Sequence, residues 1–238
     1  MAANVDAVTA VTLSGSTLTF TGNHNIATTA GADGILFLPD GNLAIAGQGG
    51  GTSTAQIHEI ATAGAAVANV NTPTNGSRGG TNIDGSYHLT LSSRSPTATL
   101  YTMCNGECGA NLSRTTPSGG GLVNASTGTN ITVIGGTSQD VRGIIFHPVN
   151  GKWYYGTAGD GSTAGTFATV SFSRTTATLT QLPSNVPAHG LAFDSFTKNI
   201  IFNSGNEIDQ FNPTTGTVVS SVTDPTSGNQ FDQSAVDG

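Results

Sequence analysis

Five polar or charged residues stand at corresponding points of a phrase that recurs along the chain: Asp33, Tyr87, Arg142, His189 and Gln233. Each one directly precedes a position that is glycine in three of the five copies. An arginine can bind an anion or a sugar, and a carboxylate with an imidazole can transfer protons. If the five positions meet, they form a candidate ligand site, with Arg142 binding the ligand and Asp33 and His189 moving protons.

Two chemistries could use this ring of residues, and neither is required by it. A lyase would need His189 as general acid or base with a second group opposite, for which His88 is available. A lactonase would need carboxylates, amides and a metal ion, and Asp33 is the one carboxylate that the repeat places there. The competing interpretation is a set of solvated, inert polar residues, because a fold alone implies no activity.

Two further features carry chemistry of a structural kind. Cys104 and Cys108 close a very short loop around a glycine, which favours a disulfide in an oxidising compartment, although half of a metal site is the alternative. Calcium could bind the oxygen-rich segments 40–42 and 160–162, but neither matches an EF-hand loop and each is typical of a β-turn. We therefore predict no cofactor.

The residues named above are positioned by a strand–turn–strand repeat. Short apolar runs of strand length, bounded by Gly, Asn, Asp and Pro, recur at 31–47, 142–156 and 189–202, with a weaker copy at 87–101 and a fifth starting at 231. The matching positions Gly34, His88, Gly143, Gly190 and Ser234 are 44 to 55 residues apart. Repeats of this length, with about four strands each, are typical of β-propeller blades.

The predicted architecture is a single all-β propeller domain over 1–238, with repeats starting near 31, 86, 140, 187 and 230. The second halves of two repeats predict hairpins, 166–170 with 176–182 and 207–211 with 217–222. The repeated glycine has a structural reason, because inner strands crowd the channel and a missing side chain lets backbones approach.

The last blade is expected to be composite or incomplete, giving about five blades. Residues 1–30 predict an outer hairpin, and the fifth repeat supplies an inner strand. A blade that lacks a strand exposes an unpaired edge, which another chain can complete. Strand exchange between subunits is therefore one expectation for this protein.

Composition excludes several classes of function. The formal net charge is -7, the sequence pI is about 4.9 and only 9% of residues are charged, so clustered Lys and Arg for nucleic-acid binding are missing. No apolar run approaches the roughly 20 residues that span a bilayer. An acidic, lysine-poor surface with many Thr, Ser, Asn and Gly residues favours an extracellular or cell-surface protein.

The inner-strand phrase with Asp40-Gly41-Asn42, together with 231–238, resembles secreted bacterial β-propellers of the virginiamycin-B-lyase-like and NHL-like group. The resemblance is strongest to exported propellers that carry a C-terminal cell-surface sorting tail, and it covers roughly 31–238. It implies a propeller fold and a secreted location. Such relatives usually continue past the last repeat seen here, and no sorting motif is present to carry over anchoring.

The function predicted from these observations is a secreted or cell-surface binding or assembly module without enzymatic activity. Its expected partners are further copies of the chain or another surface protein, and a small anionic or sugar ligand at Asp33, Tyr87, Arg142, His189 and Gln233. The alternative is a channel-mouth enzyme of lyase or lactonase type that uses His189, Arg142 and Asp33.

Overall fold

The computed structural model describes residues 7–14, 17–25, 32–47, 57–60, 88–93, 97–103, 112–116, 118–119, 121, 129–136, 141–157, 159–160, 163–182 and 187–226. All of the regular elements in these ranges are β-strands. No helix in this part of the chain has the length and apolarity needed to cross a membrane. The first two strands, β1 (Ala7–Ser14) and β2 (Thr17–Asn25), pair with each other as an antiparallel hairpin.

Four sheets follow in chain order, and each has an inner strand that lies beside the inner strand of its neighbour. Blade 1 contains β3 (Ala32–Phe37), β4 (Leu43–Gly47) and β5 (Ile57–Ile60). Blade 2 contains β6 (His88–Leu91), β7 (Leu100–Met103), β8 (Leu112–Thr115) and β9 (Thr129–Asn130).

Blade 3 has five strands, of which the first in sequence lies at its outer edge. Its strands are β10 (Thr132–Ile134), β11 (Val141–His147), β12 (Lys152–Thr157), β15 (Phe167–Phe172) and β16 (Thr176–Gln181). Between β12 and β15 lies a small hairpin of β13 (Gly159–Asp160) and β14 (Thr163–Ala164). Because β10 pairs in parallel with β16, the chain leaving blade 2 is tied to the outer edge of blade 3 before it enters the inner strand β11.

Blade 4 contains β17 (His189–Phe193), β18 (Ile200–Ser204), β19 (Glu207–Asn212) and β20 (Thr217–Thr223), paired antiparallel in that order. The two predicted second-half hairpins are confirmed as β15–β16 and β19–β20. The predicted turn at Asp40-Gly41-Asn42 is confirmed as well, since the Asn42 backbone N–H donates to Asp40 Oδ1 at 3.0 Å and Gly41 has φ 90°.

The core lies between neighbouring blades, where side chains from facing sheets interdigitate. Three apolar clusters fill the interfaces of blades 1 and 2, blades 2 and 3, and blades 3 and 4. On β12 the side chains alternate: Trp153 and Tyr155 pack in the cluster toward blade 2, and Tyr154 packs toward blade 4. Tyr154 is 2% exposed and Tyr155 is 0% exposed, so blade 3, which lies between blades 2 and 4, has both faces covered.

Two glycines of blade 3, one on the inner strand β11 and one on the neighbouring β12, lie where blade 4 approaches closely. A Cβ on Gly143 would lie 3.0 Å from the backbone nitrogen of Leu191, and one on Gly156 would lie 2.5 Å from the Ala188 carbonyl oxygen. A Cβ at 2.5 Å from a backbone oxygen would force the backbone to shift, and one at 3.0 Å would make a tighter contact than nearly all real Cβ atoms do, so the close approach of blades 3 and 4 favours glycine at both positions. The structural reason predicted for the repeated glycine is thereby confirmed at Gly143.

Candidate functional site

The inner strands of the four described blades line a channel whose two ends have different linings. The residues near the start of β6, β11 and β17 line one end, and the residues at the finish of β3, β6, β11 and β17 line the other. Leu89, Thr90 and Ile145 border both cavities, so the two ends belong to one channel. We call them the polar end and the apolar mouth.

The polar end is a small cavity of about 200 Å³. Its polar side chains are His88, which is buried, Arg142, which is half-buried, and Thr90, and backbone is exposed to it at Gly143 and Gly190. No Asp or Glu borders it among the described residues. The cavity therefore combines a guanidinium with an imidazole, and its size and charge suit a small anion.

The structure places the five predicted site residues unevenly. Arg142 lines the polar end, whereas His189 does not border it: Gly190 and Leu191 do so in its place, and His189 is half-buried with Asn203 opposite it on β18. Asp33 lies on β3, but its side chain is outside the description, and Tyr87 and Gln233 lie outside the described residues altogether. Convergence of all five around one ligand thus stays a prediction.

The apolar mouth is much larger, with a volume of about 880 Å³. The fourth residue of each described copy of the phrase, counted from the matching position, borders it: Phe37, Leu91, Phe146 and Phe193. The turns that follow these strands complete the wall with Pro39, Gly41, Ser92, Ser93 and Pro148. The same register position on four strands therefore builds an apolar ring around one opening of the channel.

Several of these apolar side chains are open to solvent. Phe37 is 65% exposed, and two further residues on the turns after β11 and β17 are also exposed, Val149 at 62% and Phe196 at 80%. Isolated apolar residues on a surface are ordinary, but a large apolar side chain such as Phe37 left open to solvent at a concave opening is typical of an interaction site. The mouth has the composition of a binding surface.

The wall of the mouth at blade 3 is held by a buried histidine. The His147 ring is 1% exposed; its Nε2 donates to the Lys198 carbonyl oxygen at 2.8 Å and its Nδ1 accepts from the Asn150 backbone N–H at 3.2 Å. This pairing puts the ring proton on Nε2. The ring also lies edge-on to Phe193, with centroids 4.9 Å apart, so one imidazole joins the turns of blades 3 and 4 beside the mouth.

The turn of blade 4 that carries Phe196 is rigid for a separate reason. The Asp194 carboxylate accepts from the Thr197 hydroxyl and from the Phe196 backbone N–H, the latter at 2.9 Å. These hydrogen bonds, that of Thr197 first, hold the pKa of Asp194 below its usual value. The exposed Phe196 ring therefore projects from a turn of fixed shape and not from a loose loop.

Aromatic contacts support the mouth from behind. The Phe146 ring lies 5.2 Å from Trp153, and Trp153 in turn lies 5.6 Å from Tyr101 of blade 2. Trp153 is the single tryptophan of the chain. It packs against Phe146, which borders the mouth, so its fluorescence reports on the surroundings of Phe146.

The sequence interpretation looked for a site in polar residues and did not identify the apolar mouth. The signal was present, because each described copy of the phrase has a large apolar residue at the last or next-to-last position of its inner strand. No group of three or more His, Cys, Asp or Glu side chains suited to a metal ion occurs in the described ranges. The Asp40 carboxylate accepts hydrogen bonds from Asn42, and Cys104, Cys108, Gly161 and Ser162 are outside the description.

Comparison with known proteins identifies the fold. No protein-family model and no curated protein sequence matches the chain. Solved structures do match: a protein provisionally assigned as a gluconolactonase, with 14% identity, a TM-score of 0.54, and coverage of 82% of this chain and 64% of that one; and a chain of a nidogen/laminin complex, with 14% identity, a TM-score of 0.59, and coverage of 88% and 72%.

A third match is an auxiliary nutrient binding protein of Bacteroides thetaiotaomicron, with 15% identity, a TM-score of 0.49, and coverage of 82% of this chain and 42% of that one. The chain thus spans less than two thirds of the length of two of these three proteins. The predicted fold class is confirmed: the chain is an all-β propeller with about five blades. The part of the closing blade predicted at 230–238 lies outside the described residues.

Proposed function

We propose that this protein is a binding module without enzymatic activity, and that it holds a protein partner at the apolar mouth of its channel. The observation that carries the proposal is the ring formed by Phe37, Leu91, Phe146 and Phe193, which borders a cavity of about 880 Å³. Concave apolar surfaces of this size bind ligands and side chains by removing apolar area from water.

A protein partner fits the mouth better than a small polar ligand does. Val149 and Phe196 are exposed and follow the mouth residues Phe146 and Phe193 by three positions, so the proposed contact surface includes both of them. Interfaces draw most of their binding energy from a few apolar or aromatic side chains set into such pockets. The partner chemistry we propose is an exposed segment with large aliphatic or aromatic side chains.

The proposal places the module outside the cell or at the cell surface, as the acidic, lysine-poor composition and the resemblance to secreted propellers suggest. One matched structure supports a binding role by analogy, since it is a chain of a nidogen/laminin complex. Assembly of copies by strand exchange stays a prediction, and its readout is a solution mass above 23.9 kDa that resists dilution.

The test is a selection of random peptides displayed on phage against the full chain, followed by affinity measurements on single variants. We expect enriched peptides to share large apolar residues and to bind Phe37→Asp at least tenfold more weakly than the wild type. Arg142→Ala, at the other end of the channel, is the matched control and should leave the affinity unchanged. Equal binding to Phe37→Asp, or no enrichment of apolar peptides, would contradict the proposal.

A second candidate function rests on the polar end. Arg142 and buried His88 border a cavity of about 200 Å³ that suits a small anion or an acidic sugar, which is the setting for the predicted lyase or lactonase alternative. Screening for lyase and lactonase activity with anionic substrates tests it. Activity that is lost in both Arg142→Ala and His88→Ala, with unfolding curves unchanged, would favour the enzyme.

A further inference from the structure

The exposed cationic side chains of the described residues all lie on the side of the apolar mouth. Lys152 begins β12, directly after the turn that follows β11, and Lys198 lies in the turn that follows β17. Arg174 lies in the turn between β15 and β16, which the antiparallel pairing of β11, β12 and β15 brings to the same side. Lysine occurs only twice in the chain, so both of its lysines stand beside this opening.

Carboxylates are distributed differently. Among the side chains that the structure describes on blades 3 and 4, none of the carboxylates is exposed. Glu207 and Asp224 are half-buried at the end of blade 4 opposite to the mouth, whereas Asp194 and Asp209 are buried. An exposed carboxylate on the mouth side, that of Asp40, belongs to blade 1. A protein with a net charge of -7 therefore has a local excess of positive charge where blades 3 and 4 border the mouth.

Both lysines adjoin the wall of the mouth that His147 holds. Lys152 is paired with His147 across β11 and β12, and Lys198 supplies the carbonyl oxygen to which His147 Nε2 donates at 2.8 Å. The same imidazole ring contacts Phe193, which borders the mouth. The backbones that carry the two lysines are thus fixed to one another beside the apolar surface.

Lys198 stands where the equivalent turn of blade 3 has a glycine. Its backbone N–H donates to the Asp194 carbonyl oxygen as the Gly151 N–H donates to that of His147, and the φ angles are 60° and 69°. A lysine with positive φ is strained relative to glycine. Its ammonium group donates to the Ser195 carbonyl oxygen, which holds the charge close to the turn. A strained position that is occupied by a rare lysine points to a function for the side chain.

Given the proposed binding function, on which this rests, we infer that the partner segment is acidic: Asp or Glu residues flank its large apolar side chains, and Lys152 and Lys198 attract their carboxylates. Arg174 adds to the same field from the outer strands of blade 3. Exposed ion pairs contribute little to affinity. Cations beside a binding surface mainly speed the association of an oppositely charged partner and make that rate depend on salt.

Association kinetics test the inference. One apolar peptide from the phage selection is synthesised with two Glu, two Gln or two Lys residues at each end, and stopped-flow anisotropy of the labelled peptides gives the rate constants with the full chain. We expect the Glu form to associate about fivefold faster than the Gln form, and the Lys form to associate more slowly, in roughly 50 mM NaCl. The differences should disappear in about 500 mM NaCl, where the charges are screened.

Single variants locate the effect. Lys152→Gln and Lys198→Gly each remove one positive charge, and each should slow the Glu form about twofold and leave the Gln form unchanged. Lys198→Gly should also be at least as stable as the wild type in urea, because glycine relieves the positive φ. Gln181→Glu is the matched control: it makes the same change in net charge at an exposed position on the opposite side of blade 3 and should keep the wild-type rates.

Two results would overturn the inference while leaving the proposed function intact. Equal association rates of the Glu and Gln forms at low salt would show that the partner need not be acidic. An equal loss of rate in Gln181→Glu and Lys198→Gly would show that net charge acts and not the lysines at the mouth. Failure of the proposed function is recognised separately, by peptides that bind Phe37→Asp as tightly as the wild type.

Discussion

The polar end and the apolar mouth of the channel are built in different ways. At the polar end the blades approach through glycines, and Gly143 and Gly156 leave no room for a Cβ against Leu191 and Ala188. At the apolar mouth large side chains stand between the strands, and the turns are held by His147 and Asp194. The comparison indicates that the close approach of backbones keeps the polar end narrow. A ring of large apolar side chains and hydrogen-bonded turns forms the wider apolar mouth.

The largest expected effect is a loss of stability caused by a substitution where blades 3 and 4 approach each other, on the side of the polar end. Gly156→Ala would bring a Cβ within 2.5 Å of the Ala188 carbonyl oxygen, a backbone atom that cannot move without shifting the blade. We expect a loss of about 3 kcal/mol or more in the free energy of unfolding, measured by urea denaturation. Gly151→Ala, in the turn after β11 on the side of the apolar mouth, is the control. Its Cβ would lie in open space and only the positive φ of 69° opposes it, so a loss of roughly 1 kcal/mol is expected.

If both glycine variants lost the same free energy, the two ends would not differ in the way described, and backbone conformation alone would explain the repeated glycine.

The wide end should respond next most strongly to removal of its buried imidazole. His147→Ala leaves the Asn150 N–H and the Lys198 carbonyl oxygen without their ring partners and opens a cavity beside Phe193. A loss of about 2–3 kcal/mol in the free energy of unfolding is expected, together with weaker binding of the selected peptides. Full stability in His147→Ala would mean that the turns do not need this link.

Binding measurements sharpen the comparison at a smaller scale. A charge at Phe37 or at Phe193 should reduce peptide affinity at least tenfold, which corresponds to about 1.4 kcal/mol, because a carboxylate in the mouth must lose water without gaining a partner. Isothermal titration gives the affinities. Unchanged binding to Phe193→Asp, with weaker binding to Arg142→Ala, would move the site to the polar end.

The smallest effect concerns the pH dependence of the turn that carries Phe196. Since hydrogen bonds lower the pKa of Asp194 in the folded protein, the carboxylate stabilises the fold above its unfolded-state pKa, and this contribution disappears as the pH falls through the folded value. Asp194→Asn should therefore be less stable than the wild type at neutral pH and match it in strong acid. Thermal unfolding across that range would show a constant difference if the charge were irrelevant.

Much of the fold follows from the sequence because its signals are local. The strand-length runs and the turn at Asp40-Gly41-Asn42 depend on near neighbours in the chain, and both are confirmed. The parallel pairing of β10 with β16 carries no such signal, because it joins residues more than forty positions apart through backbone atoms that every residue possesses.

The candidate site was harder to derive, because its geometry depends on contacts between residues that are far apart in the sequence. Arg142 could be placed at a channel end from the repeat alone. The repeat does not tell which of its alternate positions borders a cavity, and in blade 4 the residues at the polar end are Gly190 and Leu191 instead of His189. His147 reads as a turn residue in the sequence, and its role as a link depends on a carbonyl contributed by Lys198 of another blade. Contacts between blades, not patterns within one, separate the two ends.

The most direct test is hydrogen exchange of the full chain, followed by mass spectrometry, with and without a saturating selected peptide. A binding module with its site at the apolar mouth predicts slower exchange at the ends of the inner strands and their turns, within 36–41, 89–93, 145–149 and 193–198. The amides at 142–143 and 190–191 should keep their rates. Protection confined to those polar-end amides would contradict the account.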